Sequence, residues 1–300
     1  MPLAAFPKCF LDALTQERSM TVEQWIDLAA DRLDIDGLEF YWGFTPFEDK
    51  EKIASLRRRI EARGLQMPMM CCSPDFTQID ALKTRQHIDM MRRAIKTTAE
   101  LGGSYCRVLS GQKRPEISRN AGVQMAAEAI QSLLTDAERH GVVLILENHY
   151  KDGYWDFPEF AQRRDVFLEL LDSIPVSPWF GVNFDPSNAI IAGEDPIELL
   201  EAVKNRVLTM HASDRYFENG TLAELRQNDL HPTKGYAAYL KHGVIGKGLN
   251  DYDRIFSILK GVGFQGWISI EDGDDPSVGM EHLQQSAVFL RAKMKEYGLD

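Results

Sequence analysis

Cysteine is scarce in this chain, with four residues in 300. Cys9, Cys71, Cys72 and Cys106 include no pair at C-x-x-C spacing, which argues against a zinc ribbon or a redox-active dithiol. So few cysteines also exclude the disulfide framework of a small secreted domain. Reduced thiols are the simplest interpretation, and they indicate a cytoplasmic location.

Positive charge is also in deficit, because 34 lysines and arginines face 45 aspartates and glutamates, for a net charge of −11. Nucleic-acid-binding proteins usually carry a basic face, so the balance argues against such partners. The residues from Met1 to Pro7 lack a basic start followed by a long apolar segment. No signal peptide and no membrane span are therefore expected. A small molecule is the expected partner.

Apolar runs that stop abruptly at a charged or imidazole side chain are the strongest pattern present. Residues 142–146 are all apolar, and Glu147 follows them directly. Such a run is typical of a strand buried on both faces of a parallel sheet. The pattern occurs four times, with runs that stop at Glu147, Asp185, His211 and Glu271.

Strands alternate with helices along the whole chain. The predicted strands are 8–10, 37–42, 66–72, 104–109, 142–147, 180–184, 207–210 and 267–270. The predicted helices are 21–33, 51–63, 84–101, 121–140, 165–173, 195–204, 252–260 and 277–295. Eight such units in 300 residues fit a (β/α)₈ barrel, an α/β fold of about 250 residues. A doubly wound open sheet is the alternative.

No linker or low-complexity stretch divides the sequence, so 1–300 is predicted to form a single domain. The longest irregular segments, 150–163 and 215–250, follow predicted strands. Both would lie on the face of a barrel where active sites are found. Loops of this length in a compact domain are usually functional.

The four run-ending side chains are expected to meet around one divalent ion, since barrel strands end on a common face. Three carboxylates and an imidazole suit Mn²⁺, the first choice, or Mg²⁺, Co²⁺ or Zn²⁺. A bound ion would polarise a carbonyl and stabilise an enediolate, with Glu147 or Glu271 as the base. A lone acidic residue at a strand end is as often a solvated or capping group, but four in four strands are harder to attribute to chance.

Four further side chains are candidate substrate contacts, and each has a simpler alternative. Glu39 could instead form a salt bridge at the edge of the core, and His149 could pack within its loop. Arg215 could pair with Asp214 on the surface. The last of the four, Asn188, could belong to a turn.

With these residues placed, the chain resembles the xylose isomerase-like TIM-barrel superfamily. The resemblance is closest to the sugar phosphate isomerase/epimerase group, which includes D-tagatose 3-epimerase and inosose dehydratase. It rests on Leu146-Glu147-Asn148, Asn183-Phe184-Asp185, His211-Ala212-Ser213-Asp214, Gly246-Lys247-Gly248 and Ile270-Glu271.

The resemblance implies one metal ion held by Glu147, Asp185, His211 and Glu271. It also implies that the two glutamates exchange the proton of a substrate carbon and that Arg215 contacts the substrate. Asn188 departs from the histidine that ketose epimerases commonly have three residues after the aspartate. The segment between His211 and Glu271 is also longer than expected.

A metal-dependent isomerase or epimerase on a sugar or sugar derivative is the leading interpretation. A metal-dependent lyase or dehydratase on inosose or 3-keto-sugar substrates is the alternative, because the same enediolate eliminates when a leaving group is adjacent. A barrel that only binds a metabolite is an interpretation of a different class. The multi-zinc endonucleases of the superfamily are disfavoured by the negative charge. Association into a homo-oligomer is expected to be possible.

Overall fold

Short parallel strands form the centre of the molecule. The computed structural model describes residues 1–218, 220–221, 235–271, 273 and 275–300. The parallel sheet contains β1 (Leu3–Ala5), β2 (Gly37–Leu38), β3 (Phe40–Tyr41), β4 (Met69–Cys71), β5 (Tyr105–Val108), β6 (Val143–Glu147), β7 (Phe180–Phe184), β8 (Val207–Ala212) and β11 (Trp267–Ile270). A separate antiparallel hairpin joins β9 (Arg215–Phe217) to β10 (Leu240–His242).

The sheet closes through the segment that contains β2 and β3. β2 pairs with β1, and β3 pairs with β4, while Glu39 lies between the two short strands. Around the rest of the barrel the order is β1, β11, β8, β7, β6, β5, β4, and every pairing is parallel. Counting 37–41 as one strand gives eight strands, so the predicted (β/α)₈ barrel is confirmed.

Helices cover the outside of the barrel. They are α1 (Leu11–Thr15), α2 (Val22–Arg32), α3 (Lys50–Ala62), α4 (Ala81–Glu100), α5 (Arg119–His140), α6 (Arg164–Asp172), α7 (Pro186–Ile191), α8 (Pro196–Val203), α9 (Tyr252–Gly261) and α10 (Pro276–Tyr297). Most begin at a Thr, Ser or Asp side chain that accepts a backbone N–H of the first turn, as at Thr21 and Ser118. Among the described residues, none of the helices has the length and apolar character needed to cross a membrane.

Three sequence predictions about elements need correction. Residues 8–10 form a 3₁₀ turn, and the first strand is instead Leu3–Ala5, whose small side chains carry little strand signal. The short helices α1 and α7 fell in segments predicted as irregular, because five or six residues show no helical periodicity. Segment 215–250, predicted as a loop, contains the β9–β10 hairpin; positions 219 and 222–234 within it lie outside the described residues.

Apolar side chains fill the space inside the barrel as well as the layer between strands and helices. Phe6, Tyr41, Met69, Cys71 and Ile145 form a separate buried cluster with the inward-facing side chains of the strands. All five residues are at most 3% exposed, so this part of the barrel interior is shielded from bulk water.

Candidate metal centre

Four neighbouring strands bring the predicted ligands together. Glu147 ends β6, Asp185 follows β7, His211 lies in β8 and Glu271 follows β11. One donor atom from each lies within 4.8 Å of the others, and all four residues are buried. The side chains meet because parallel barrel strands emerge on one face, as the sequence pattern indicated.

His211 is the centre of this group. Its Nδ1 lies 3.0 Å from Glu147 Oε1 and 2.7 Å from Glu271 Oε2. Separations of this size suit donor atoms that share one ion, since metal–donor bonds to nitrogen and oxygen are about 2.0–2.2 Å long. Glu147, His211 and Glu271 therefore present one nitrogen and two oxygens to a common point.

Asp185 is held at the same point by its backbone and by its neighbours. Asn148 donates from Nδ2 to the Asp185 carbonyl at 2.6 Å, and its Oδ1 accepts the Asp185 N–H at 2.9 Å. Ser213 Oγ donates to Asp185 Oδ1 at 2.6 Å, and the Asn188 N–H at the start of α7 donates to the same oxygen at 3.2 Å. These contacts orient the carboxylate towards His211 with little freedom to move.

The donor set fits a divalent cation. Burial and then the negative charges of Glu271 and Glu147 raise the pKa of Asp185 to about 7. Carboxylates crowded in this way repel one another unless a cation lies between them. Oxygen donors with one imidazole and no thiolate suit Mn²⁺, Mg²⁺, Co²⁺ or Zn²⁺.

A protein cation contacts the second oxygen of each glutamate. Arg107 donates to Glu147 Oε2 at 2.8 Å, and Lys8 donates to Glu271 Oε1 at 2.8 Å. Burial alone would raise the pKa of either carboxyl group. Arg107 and then His211 bring the pKa of Glu147 below its usual value, and Lys8 and then His211 do the same for Glu271.

The Gly246-Lys247-Gly248 motif supports the strand that carries His211. The backbone N–H groups of Gly246 and Gly248 donate to Asp214 Oδ2 at 3.0 and 2.9 Å. A Cβ atom at position 248 would lie 2.3 Å from Asp214 Oδ1, so only glycine fits there. Tyr252 Oη donates to the carbonyl of Ser213, and the hydroxyl of Ser213 donates to Asp185.

A cavity of about 300 Å³ opens beside this cluster. Its wall includes Lys8, Arg107, His149, Tyr150 and Glu271. Of the four predicted ligands, Glu271 alone is part of this wall. The volume is at the small end of the range for ligand sites, which suits a single sugar ring. A larger cavity of about 770 Å³ on the outside of the barrel contains none of the clustered residues.

The predicted substrate contacts lie in different places. His149 lines the cavity and stacks on Tyr150, with ring centroids 5.1 Å apart. The guanidinium of buried Arg215 lies 5.2 Å from the centre of the Tyr150 ring. Asn188 is buried within α7. Glu39 lies on the other side of His211 from the three carboxylates, 3.0 Å from Nε2, and is not part of the cavity wall.

Sequence reasoning missed Lys8, Arg107 and Asn148. A charged residue within the apolar strand Tyr105–Val108 was a usable signal for Arg107, since a buried arginine needs a buried partner. Asn148 adjoins a predicted ligand but gave no sign of its contact with Asp185. Lys8 gave no signal, because its segment was predicted as a strand.

The chain matches the family model described as "Xylose isomerase-like TIM barrel" over residues 26–293. It belongs to this family. An inosose dehydratase of Clostridium botulinum (strain Alaska E43 / Type E3) is 29% identical over 253 residues, which cover 79% of this chain and 80% of the relative. An inosose dehydratase of Bacillus thuringiensis (strain Al Hakam) is 24% identical over 172 residues, which are 56% of this chain and 53% of the relative. The chain thus spans about half the length of several curated relatives that it matches.

Solved structures share the fold along almost the whole chain. A D-tagatose 3-epimerase-like protein has a TM-score of 0.74 at 18% identity, covering 99% of this chain and 98% of its own. The IOLI protein, solved with a zinc atom bound, has a TM-score of 0.73 at 16% identity and covers 99% of both chains. Identities this low establish the shared barrel and nothing finer.

Proposed function

We propose that the protein is a metal-dependent enzyme that removes a proton from the carbon beside a carbonyl group of a sugar or sugar derivative. Glu147, Asp185, His211 and Glu271 would hold one divalent ion. The observation that carries the proposal is their convergence, with donor atoms within 4.8 Å of each other next to a sugar-sized cavity. When bound, the ion supplies Lewis-acid polarisation of the substrate carbonyl.

Glu271 is the proposed base. It lines the cavity, and its Oε1 contacts only Lys8 among the hydrogen bonds of the described residues. The Lys8 ammonium keeps the carboxyl group ionised, and it holds the carboxylate at one edge of the cavity. A carboxylate fixed at a substrate carbon contributes roughly 10²–10⁴-fold to proton transfer.

Elimination is the outcome that the arrangement favours. Loss of a proton and then of water needs one base and one proton donor. A base on one face of the substrate is enough for this reaction. The second oxygen of Glu147 is held by buried Arg107, and Glu147 is absent from the cavity wall. In this step Glu271 takes the proton, the electrons of the C–H bond form the double bond, and the hydroxyl leaves as water after taking that proton from Glu271. Burial lowers the pKa of His149 to about 4, so its imidazole is neutral and does not supply the proton. The inosose dehydratase relatives support this proposal.

Epimerisation or isomerisation is the second candidate. Glu147 Oε1 and Glu271 Oε2 both lie within 3.0 Å of His211 Nδ1, so the two carboxylates flank one centre. If Glu147 releases Arg107 when substrate binds, two opposed bases would face the substrate carbon. Asn188 and Arg215 remain proposed substrate contacts in either reaction.

Deuterium exchange tests the shared step. The protein is incubated in D₂O with a panel of ketoses, inososes and 3-keto-sugars, with Mn²⁺ and again after chelation. We expect metal-dependent loss of water from one panel member. Glu271→Gln should lower that rate by about 10³-fold. Deuterium at the carbon beside the carbonyl without loss of water would instead indicate an epimerase or isomerase.

A matched control is Glu138→Gln, a glutamate near the end of α5 on the outer face of the barrel. This variant should retain full activity. Protein that binds Mn²⁺ but exchanges no deuterium with any panel member would favour a metabolite-binding barrel. Protein that binds no divalent ion would contradict the proposed metal centre and therefore the proposed function.

Four accompanying proposals concern the domain, the metal, the location and the assembly. We assign residues 1–300 to one domain, with Mn²⁺ as the first metal to test. The four cysteines are buried thiols, and this supports a cytoplasmic location, because thiols stay reduced there. Association into a homo-oligomer is the last of these proposals, and the mass of the native protein in solution tests it.

A further inference from the structure

We propose that Glu39 is a positioning residue that fixes the tautomer of His211, so that Nδ1 is free to bind the ion. This role replaces the substrate contact that the sequence suggested, and it rests on the metal centre proposed above. Glu39 acts through the imidazole ring, at the nitrogen opposite the ligand cluster.

One carboxylate oxygen of Glu39 contacts both His211 and Cys71. Glu39 Oε2 lies 3.0 Å from His211 Nε2, and Cys71 Sγ donates to the same oxygen at 3.3 Å. Both Glu39 and Cys71 are fully enclosed, with at most 1% of each exposed. With side chains at most 1% exposed, the contact between Glu39 and His211 is shielded from bulk water.

The tautomer follows from hydrogen-bond chemistry. A neutral imidazole carries one N–H, and the other nitrogen has the lone pair that binds a metal. An ionised carboxylate only accepts, so Glu39 requires the proton on Nε2. Nδ1 is then left with its lone pair directed at Glu147 and Glu271. Partners of this kind behind a ligating histidine typically change metal affinity by about 10–100-fold.

A second metal ion is the competing interpretation. Glu39, Cys71 and His211 have donor atoms within 4.8 Å of one another. Occupation would require both ring nitrogens of His211 to bind metal and Cys71 to lose its proton. The described residues offer three donors there, whereas structural zinc sites almost always have four. Hydrogen bonding accounts for the same contacts without these costs.

Metal binding by the full-length chain tests the inference. Metal-free protein is titrated with Mn²⁺ while the free ion is followed by electron paramagnetic resonance. We expect Glu39→Gln to raise the Kd by about 10–100-fold at a midpoint of thermal unfolding near that of the wild type. Glu159→Gln is the matched control, since Glu159 is also fully buried but contacts Ser110 instead of His211. Its Kd should equal that of the wild type.

A measurement on wild-type protein covers the case in which Glu39→Gln does not fold. Nitrogen-15 NMR of the zinc-loaded chain should show His211 with its proton on Nε2 and the metal on Nδ1. The reverse assignment would overturn the inference, and so would an unchanged Kd in Glu39→Gln. Two ions per wild-type chain and one in Cys71→Ala would establish the second metal site instead. Wild-type protein that binds no ion would instead refute the proposed function.

Discussion

The two halves of the barrel differ in what they contribute to the site. β6, β7, β8 and β11 are consecutive neighbours, and their ends supply the four proposed metal ligands. The segment 37–41 and β1, β4 and β5 form the other half. That half supplies groups that contact the ligands, namely Lys8, Glu39, Cys71 and Arg107.

The difference shows how charge is distributed in a buried site. One half carries three carboxylates, and the other carries the two cations that contact Glu147 and Glu271. Burying an ion costs several kcal/mol unless a partner compensates it. Arg107 and Lys8 therefore compensate the carboxylates of the first half before any metal binds. Replacing each cation in turn measures how much it contributes to stability.

Arg107 should have the largest effect on stability. Its side chain is 3% exposed, and that of Glu147 is fully buried. Arg107→Met would leave the buried Glu147 carboxylate with His211 as its remaining partner, and we expect a loss of about 3 kcal/mol in the free energy of unfolding. Urea unfolding of the metal-free protein measures it.

Two comparisons sharpen this prediction. The double variant Arg107→Met with Glu147→Gln should recover much of the loss, because the buried charge is gone. Saturating Mn²⁺ should also reduce the deficit of Arg107→Met, since the ion supplies positive charge to the same carboxylate. A single variant as stable as the wild type would show that Glu147 does not depend on Arg107.

Lys8 should matter less for stability and more for catalysis. Its side chain is 17% exposed and lies at the cavity wall, so water can partly replace it. We expect Lys8→Met to cost about 1.5 kcal/mol in unfolding free energy. Turnover should fall by more than tenfold, because the position of Glu271 at the substrate is lost. Lys293→Met is the control, because Lys293 is also 17% exposed and pairs with a carboxylate, Asp253, but lies in α10 on the outside of the barrel.

The same division explains what the sequence could predict. The ligands follow long apolar runs, and the rule that barrel strands end on one face then brings Glu147, Asp185, His211 and Glu271 together. The partner groups have no such pattern. Arg107 lies inside a short strand, and Glu39 interrupts one, so their roles depend on which strands become neighbours. Contacts between neighbouring strands join residues far apart in sequence, such as Lys8 and Glu271, and no local pattern encodes them.

Among the residues that the structure describes, no cation contacts the buried carboxyl group of Glu159, in contrast to Glu147 and Glu271. Its Oε1 accepts hydrogen bonds from the Ser110 N–H and Oγ at 2.7 and 2.5 Å. Burial raises its pKa from 4.5 to about 8, although the Ser110 contacts oppose this shift. The folded protein therefore holds a proton that the unfolded chain releases near pH 4.5.

This proton makes the stability of the wild type depend on pH. Its contribution to stability is complete below the unfolded pKa and is lost as the pH rises towards 8. The wild type should lose up to about 1.4 kcal/mol per pH unit relative to Glu159→Gln between pH 5 and 8. Glutamine keeps the oxygen that accepts from Ser110 but cannot ionise. Urea unfolding of both proteins across this range measures the difference. Parallel pH profiles for the two proteins would mean that Glu159 is ionised in the fold, and that a buried carboxylate here needs no cation.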